Sequence, residues 1–301
     1  MEQLQALCRA LKDESIDFLC GEPLSRHTSF HIGGPARVFC APADAGQIIR
    51  AIELCERFGV RRYILGKGSN VLFSDAGFDG MVISTAALAG EPRFEGEIVH
   101  ADAGLGLNAL CKAVAAQSLT GLEFAFGIPG SVGGAVYMNA GAYGGEMRNV
   151  LHSVTFLDDQ GAVRTLPVEE LELGYRTSIF GRTGWCVLSA AFRLAPGDRR
   201  EIESVMEDLM ARRIAKQPLE YPSAGSAFKR PQGAFAGALI QQCGLRGARV
   251  GGAAISEKHC GFIINLGDAT CADVLALADL VSKTVKEQTG FVLEKEIRVV
   301  E

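Results

Sequence analysis

The chain has 301 residues, 48% apolar and 22% charged, enough for two or three packed units and unlike the polar profile of a disordered protein. Its formal net charge of −5 argues against a nucleic-acid binder, which needs a basic surface to neutralise phosphates. Glycine stands at 36 residues against 10 prolines with no Gly-X-Y period, which excludes a collagen-like chain and makes the glycine excess local.

The nine cysteines are scattered without a C-x-x-C pair, so neither a structural metal site nor a redox dithiol is expected, and reduced, buried thiols are. The opening residues, MEQLQALCRALKDESIDF, lack a basic segment followed by an apolar one, and no apolar run approaches the roughly 18 residues of a membrane span. A cytoplasmic protein without membrane insertion is the expectation.

In chain order, DAGQIIRAIELCERFG (44–59) reads as an amphipathic helix capped by Asp44, with Ile48, Ile52 and Cys55 on one face and Gly59 as its stop. RRYILGKGSN follows as a strand entering a glycine loop. EIVHADAG (97–104) reads as a strand, LNALCKAVAAQS as a helix, and GIPGSVGGAVYMNAGAYGG (127–145) as a second glycine-rich loop. From 150 the alternation of VLHSVTFLDDQGAVRTL predicts a hairpin about DDQG, and WCVLSAAFRL (185–194) a further strand. PGDRR at 196–200 marks a change of texture and a boundary near 197. A helix over 199–216 follows, with Ile202, Val205, Met206, Leu209 and Ile214 as its apolar stripe and Pro218 beyond its end. Thr270, Asp273 and Gly290 predict a capped helix over 270–289. The final FVLEKEIRVV alternates as a strand, with Phe291, Leu293, Ile297 and Val299 on one face and Glu294, Glu296 and Arg298 on the other.

Between Gly225 and Lys258, Lys229, Arg230, Arg246, Arg249 and Lys258 face the single acid Glu257, a window suited either to a small anion or to a solvated basic face. LGKGSN is not a P-loop, because Gly68 rather than Ser or Thr follows the lysine. GLGLNA (104–109) satisfies G-x-G-x-x-A with Glu123 near the ribose-binding distance, but His100 and Asp102 interrupt the strand before it, so it is a weak dinucleotide signal. In GIPGSVGGA, consecutive glycines leave amide N–H groups unscreened and allow a concave nest for a pyrophosphate, Pro129 stiffens the turn, and Ser131 adds a hydroxyl donor. Neutral donors of this kind suit an acidic protein.

HTSFHIGGPA (27–36), LGKGSNVL (65–72), GLEFAFGIPGSVGGAVYMNAGAYG (121–144), YRTSIF (175–180), GSAFKRP (225–231), VGGAAISEKHCGFIIN (250–265) and EKEIRV (294–299) occur in one order. In that order they resemble the UDP-N-acetylenolpyruvoylglucosamine reductases, also called UDP-N-acetylmuramate dehydrogenases, along nearly the whole chain. The resemblance implies an α+β protein with the vanillyl-alcohol-oxidase (PCMH-type) FAD-binding fold: two α+β subdomains and an α+β substrate-binding domain. The expected limits are 1–80, joined by the C-terminal strand at about 295–301, then 81–196, and 197–294 for the substrate domain.

By the same resemblance FAD is held by Gly66, Lys67, Gly68, Ser69, Asn70 and Val71 of the first loop. Gly127, Ile128, Pro129, Gly130, Ser131, Gly133 and Gly134 form the second part of that site, continued by Asn139, Gly141 and Tyr143. NADPH reduces the flavin, leaves, and is replaced by UDP-N-acetylglucosamine enolpyruvate, the small-molecule partner. Arg176 offers its planar fork to the substrate carboxylate, Glu296 assists the enolate-like intermediate, and Ser226 donates the proton. Tyr175, Lys229, Tyr221 and Lys258 are the implied substrate contacts, with Lys229 either binding the diphosphate or supporting Ser226. His259 is expected to be structural or a substrate-domain contact. The length matches the compact variety of the family, which makes Tyr221 and its loop the candidate for closure over the substrate. An FAD oxidase of the same fold, or a non-catalytic UDP-sugar-binding regulator, are the rival readings.

Overall fold

The computed structural model describes residues 2–301. They divide into two compact units: 1–19, 38–67 and 80–213 form the first, and 20–37, 68–79 and 214–301 the second. The chain therefore alternates between units before its last third.

In the first unit, an antiparallel sheet takes the order Val163–Pro167, Leu151–Leu157, Cys186–Arg193, Ile98–Asp102 and Arg93–Glu95. The expected hairpin is its edge: Leu157 pairs with Val163, and Asp158 Oδ1 closes the turn by accepting from Gln160 N and Ala162 N, both at 2.9 Å. One core gathers Val99, Leu110, Val136, Val154, Phe156, Phe180 and Phe192, with Phe156 stacked on Trp185 at 4.8 Å. A second core in the same unit is built by Leu7, Leu11, Val38, Ile48, Ile52, Cys55, Met81 and Ile83. Here the strand Arg62–Leu65 runs parallel to Phe78–Ser84. The helix Ala45–Phe58 has the predicted cap, Asp44 accepting from Gln47 N at 2.9 Å, and Gly59 ends it at φ +63°.

The helix Arg199–Lys216 begins where PGDRR predicts, but its buried face differs from the expected stripe. Ile202 and Met206 are buried with Arg213, whereas Val205 and Ile214 are exposed. Apolar spacing alone overstates the stripe because the helix packs along a narrow line and ends it on a charged group.

In the second unit, the antiparallel sheet has the order Ser223–Ser226, Phe262–Asn265, Ala253–Ile255 and Arg249–Val250. The helices Ala236–Gln242 and Cys271–Thr289 contribute Ile240, Leu277 and Val281 to a core that also contains Phe30, Ile32 and Leu72. Thr270 and Asp273 form the expected capping box and Gly290 the αL stop. Backbone N–H groups of Thr270 and Gly252 hold the Asp273 carboxyl below its ordinary pKa. Only Arg298–Val300 of the expected final strand is strand, paired in parallel with Val71–Phe73. Residues 291–297 are irregular apart from a bridge at Lys295, and Val300 rather than Val299 is buried. The strict alternation breaks because this segment changes pairing partner, from Phe228 at Lys295 to Val71 at Arg298.

None of the nine cysteines is in a disulfide among the described residues, and burial pushes the Cys40, Cys55, Cys111 and Cys186 thiols up to about 12, which keeps them protonated. No described helix is long and apolar enough to cross a membrane.

Asp75 supplies the remaining cap of the long helix, Oδ1 accepting from Cys271 N at 2.7 Å and Oδ2 from Ala272 N at 3.0 Å. A carboxylate on two otherwise unsatisfied amides also opposes the helix dipole. Asp75→Ala is predicted to destabilise the protein by about 1–2 kcal/mol in urea unfolding. An unchanged urea midpoint would show that solvent replaces the carboxylate without cost.

Candidate active site

The glycine-rich stretches of the first unit converge. Val132 N donates to Leu105 O at 2.9 Å, Gly133 N to Ala103 O at 2.8 Å, and Leu107 N to Gly130 O at 3.0 Å, so GLGLNA and GIPGSVGGA are one paired structure. This revises the expected nest of consecutive amides: those of Val132 and Gly133 are engaged by carbonyls of 103–105. A methyl group at Gly133 would sit 2.9 Å from Ala103 Cβ, so this glycine is required by chain packing. Gly130 N bonds Ile128 O at 2.9 Å, and Pro129 lies exposed on the rim of the turn. The weak dinucleotide motif is thus a wall of this loop. Glu123 accepts from Thr120 Oγ1 at 2.6 Å and Gly121 N at 2.8 Å, engagements that occupy the carboxylate expected on a ribose.

Gly66 joins the same cluster, a Cβ there falling 2.8 Å from Ser131 Oγ, while Lys67 Nζ occupies the space over Gly106. Ser131 is 1% exposed and its hydroxyl has no hydrogen-bond partner. Gly134 is exposed, and in its Cβ direction it meets only this hydroxyl at 3.6 Å. Main chain that can be approached closely, above an unsatisfied hydroxyl, fits a ligand rich in phosphate and hydroxyl groups such as FAD.

Arg213 was not predicted. It is 5% exposed, its Nε would lie 2.9 Å from a Cβ on Gly127, and its guanidinium sits 5.6 Å from the Tyr143 ring centroid. Burial lowers its pKa and Tyr143 partly restores it. A cation is therefore built under Gly127, and the only sequence signal for it was a position on the buried line of an amphipathic helix.

Arg176 occupies a turn at φ +57°, with Nη2 donating to Gly141 O at 3.1 Å and its guanidinium 5.2 Å from the exposed Tyr175 ring. Asn139 is fully buried and its amide is committed to Glu146, Gly174 and Arg148, so only its backbone is left to border a cofactor.

The second unit gathers the other predicted residues. Gly68, at φ +61°, packs on the His27 carbonyl, where a Cβ would intrude to 2.1 Å, and its own carbonyl accepts from Ser29 N at 3.1 Å. Ser69 is half-buried and Val71 buried. Asn70 Nδ2 donates to Glu296 O at 3.3 Å, and Glu296 N donates to Ala227 O at 2.8 Å. Lys229 N bonds Glu294 O at 2.8 Å and Phe228 bridges Lys295. Ser226 and Glu296, 70 positions apart in sequence, are thereby held on two facing segments.

The basic window is less open than its local count suggests. Lys229 Nζ pairs with Glu294 at 3.1 Å and Lys258 Nζ with Glu220 at 3.6 Å, acids that lie outside the window. Tyr221 is exposed in the turn after Pro218, and Arg230 lies 3.9 Å from the Phe235 ring centroid. His259 Nδ1 accepts from Gly261 N at 3.1 Å and its ring meets Phe262 edge-on at 4.9 Å. Burial lowers its pKa, which favours the neutral ring. No cluster of three or more metal-ligating side chains occurs among the described residues.

Residues 36–167 match the model of the FAD binding domain and residues 217–300 that of the UDP-N-acetylenolpyruvoylglucosamine reductase C-terminal domain. The reductase of that name from Lachnoclostridium phytofermentans is 49% identical over 301 residues, covering 99% of this chain and 96% of the relative. The chain belongs to the UDP-N-acetylenolpyruvoylglucosamine reductase family. A Geobacillus kaustophilus reductase is 50% identical over 279 residues, covering 93% of this chain and 91% of the relative. The crystal structure of the Thermus caldophilus reductase superposes with a TM-score of 0.80 at 36% identity, covering 95% of this chain and 99% of that one. The α+β FAD-binding fold expected for this reductase family is borne out.

Ser131→Ala separates cofactor binding from stability. An unsatisfied buried hydroxyl costs about 1–3 kcal/mol, so the apoprotein is predicted to keep or raise its urea midpoint. FAD affinity, followed by flavin fluorescence quenching, is predicted to fall about tenfold on loss of one good hydrogen bond. A destabilised apoprotein with unaltered FAD affinity would make Ser131 a structural hydroxyl only.

Proposed function

We propose that this protein reduces UDP-N-acetylglucosamine enolpyruvate to UDP-N-acetylmuramate, using FAD as prosthetic group and NADPH as reductant, in the cytoplasmic synthesis of peptidoglycan precursors. The activity follows from membership of the reductase family along almost the whole chain. The assignment of residues is supported by one structural observation above all: Glu296 N on Ala227 O, which puts Ser226 and Glu296 on adjoining segments of main chain.

As functional divisions we propose FAD-binding subdomains at 1–80, rejoined by about 295–301, and at 81–196, with a substrate-binding domain at 197–294. The two separate cores of the first unit support a division near 80, and the pairing of Arg298–Val300 with Val71–Phe73 supports the return of the C-terminal strand, whereas Phe30, Ile32 and Leu72 of 1–80 share the core of 224–297. FAD would be held by Gly66 to Val71, by Gly127 to Gly134, and by the backbone wall of Asn139, Gly141 and Tyr143. Once bound, FAD would supply hydride-transfer chemistry between NADPH and the double bond of the enolpyruvyl substrate.

The protein's own groups then do the remaining work. Arg176 presents a planar, always charged fork to the substrate carboxylate, onto which negative charge moves as the double bond is reduced. Ser226 gives its hydroxyl proton to the second carbon, completing saturation of the double bond. A hydroxyl is a weak acid, so this role depends on orientation, and the place of Ser226 at the end of the strand Ser223–Ser226 is consistent with it. Glu296, held through its backbone from both sides by Asn70 and Ala227, assists the same charge redistribution. Tyr175, Tyr221, Lys229 and Lys258 are assigned to the substrate. For Lys229 and Lys258 this requires exchanging their exposed pairs with Glu294 and Glu220 for a diphosphate, an exchange of low cost at a solvated surface.

Ser226→Ala is predicted to leave flavin reduction by NADPH within about twofold while slowing reoxidation by the enolpyruvyl sugar by about 10²- to 10⁴-fold, the range for loss of a general acid. Stopped-flow absorbance of the flavin resolves the two halves, and equal losses in both would remove Ser226 from proton transfer. Glu296→Gln is expected to act on the same second half-reaction, and an unchanged turnover number would reject its assignment.

A further inference from the structure

Tyr175 and Arg176 are the central residues of a tight turn. Gly174 N donates to Thr177 O at 3.1 Å and Thr177 N to Gly174 O at 3.3 Å. Arg176, at φ +57°, stands where turn geometry favours Gly or Asn. Of the seven non-glycine residues with positive φ among the described residues, four are Asn139, Tyr143, Glu172 and Arg176, in just two neighbouring stretches of the first unit. Such backbone persists only where the surroundings over-determine it, and it concentrates at functional sites.

Here the surroundings can be named. Asn139 Nδ2 donates to Gly174 O at 3.0 Å and to Glu146 Oε2 at 3.0 Å, and its Oδ1 accepts from Arg148 N at 2.9 Å. Arg148 reaches back with Nη1 to Leu173 O at 3.1 Å and Nε to Glu146 Oε1 at 2.8 Å. The carbonyls of Leu173 and Gly174, immediately before the turn, are thus gripped by two side chains of the 139–148 segment. The Arg176 head is tied to Gly141 O in that same segment. Both ends of Arg176, its peptide and its guanidinium, are therefore tied to one segment whose hub, Asn139, has no exposed surface.

We propose that Asn139, braced by Glu146 and Arg148, is the positioning residue of Arg176, holding its guanidinium in one orientation before substrate arrives. This rests on the reading of Arg176 as the ligand of the substrate carboxylate. It gives Asn139 a role other than cofactor contact: both amide protons are committed within the protein. Preorganisation of a charged fork matters because small displacements at a reacting centre carry large rate penalties.

The test uses FAD-loaded Arg176→Lys, Arg148→Ala and Asn139→Ala proteins, with the two half-reactions measured separately by stopped flow. Arg148→Ala is expected to slow reoxidation by the enolpyruvyl sugar about tenfold, and Asn139→Ala about a hundredfold, the scale of an ångström misplacement. The loss is expected in the limiting rate more than in the substrate concentration at half-saturation, with NADPH reduction of Arg148→Ala within about twofold of the parent. Asn139→Ala placed on Arg176→Lys is expected to add little, because the two act as one unit. If Arg176→Lys slows reoxidation but neither Arg148→Ala nor Asn139→Ala does, positioning is overturned and the role of Arg176 survives. If Arg176→Lys leaves reoxidation unchanged, the reading of Arg176 falls and the proposal with it. Parallel loss of FAD retention and of both half-reactions in Arg148→Ala, which is exposed and need not perturb folding, would reduce the network to a structural brace and overturn the proposal.

Discussion

The glycine-rich part of the candidate FAD site in the first unit is built on two stretches of main chain within hydrogen-bonding distance, 103–107 against 130–133. Such proximity is open only to backbone with little or no side chain between, which Gly133 against Ala103 supplies. That contact fixes the short helix Val132–Tyr137, whose last residue offers its carbonyl to Ser178 Oγ at 2.7 Å. Ser178 follows the Arg176 turn, and Asn139 follows the helix. A chain of contacts thus connects the glycine loop, through one short helix, with the turn that carries Arg176.

The charge arrangement explains how an acidic chain can serve polyanionic ligands. In the proposed cofactor site the groups available for close contact are neutral: the Ser131 hydroxyl and unscreened main chain around Gly66 and Gly134. Full charges are few and individually supported. Arg213 is buried beside Tyr143 and under Gly127, Arg176 is tied to a carbonyl, and Lys229 and Lys258 rest on exposed glutamates. Buried cations are costly to desolvate, so their scarcity is the expected outcome where backbone dipoles can do the same work.

Local rules were legible in the sequence, and the long-range ones were not. Asp44, Gly59, Thr270 and Gly290 act through bonds to residues three or four positions away, and each sits where a capping argument puts it. The hairpin about DDQG is local for the same reason. By contrast, the burial of Arg213, the pairing of GLGLNA with GIPGSVGGA and the change of partner along 291–300 depend on residues tens to hundreds of positions distant. No period or spacing within a segment encodes them. Arg176, Ser226 and Glu296 came from ordered motifs, and the second unit brings Ser226 and Glu296 onto facing segments by bonds that no local pattern announces.

The alternation of the chain between two units bears on how it is made. Residues 20–37 and 68–79 belong to a core whose other members, Ala224 through Ile297, come from the final third of the polypeptide. On the ribosome, Phe30, Ile32 and Leu72 emerge long before their partners exist. Their burial must wait until synthesis has passed Val281 and beyond, while the sheet of 93–193 can already close on itself. The nascent protein therefore carries these apolar segments without their native partners through much of translation.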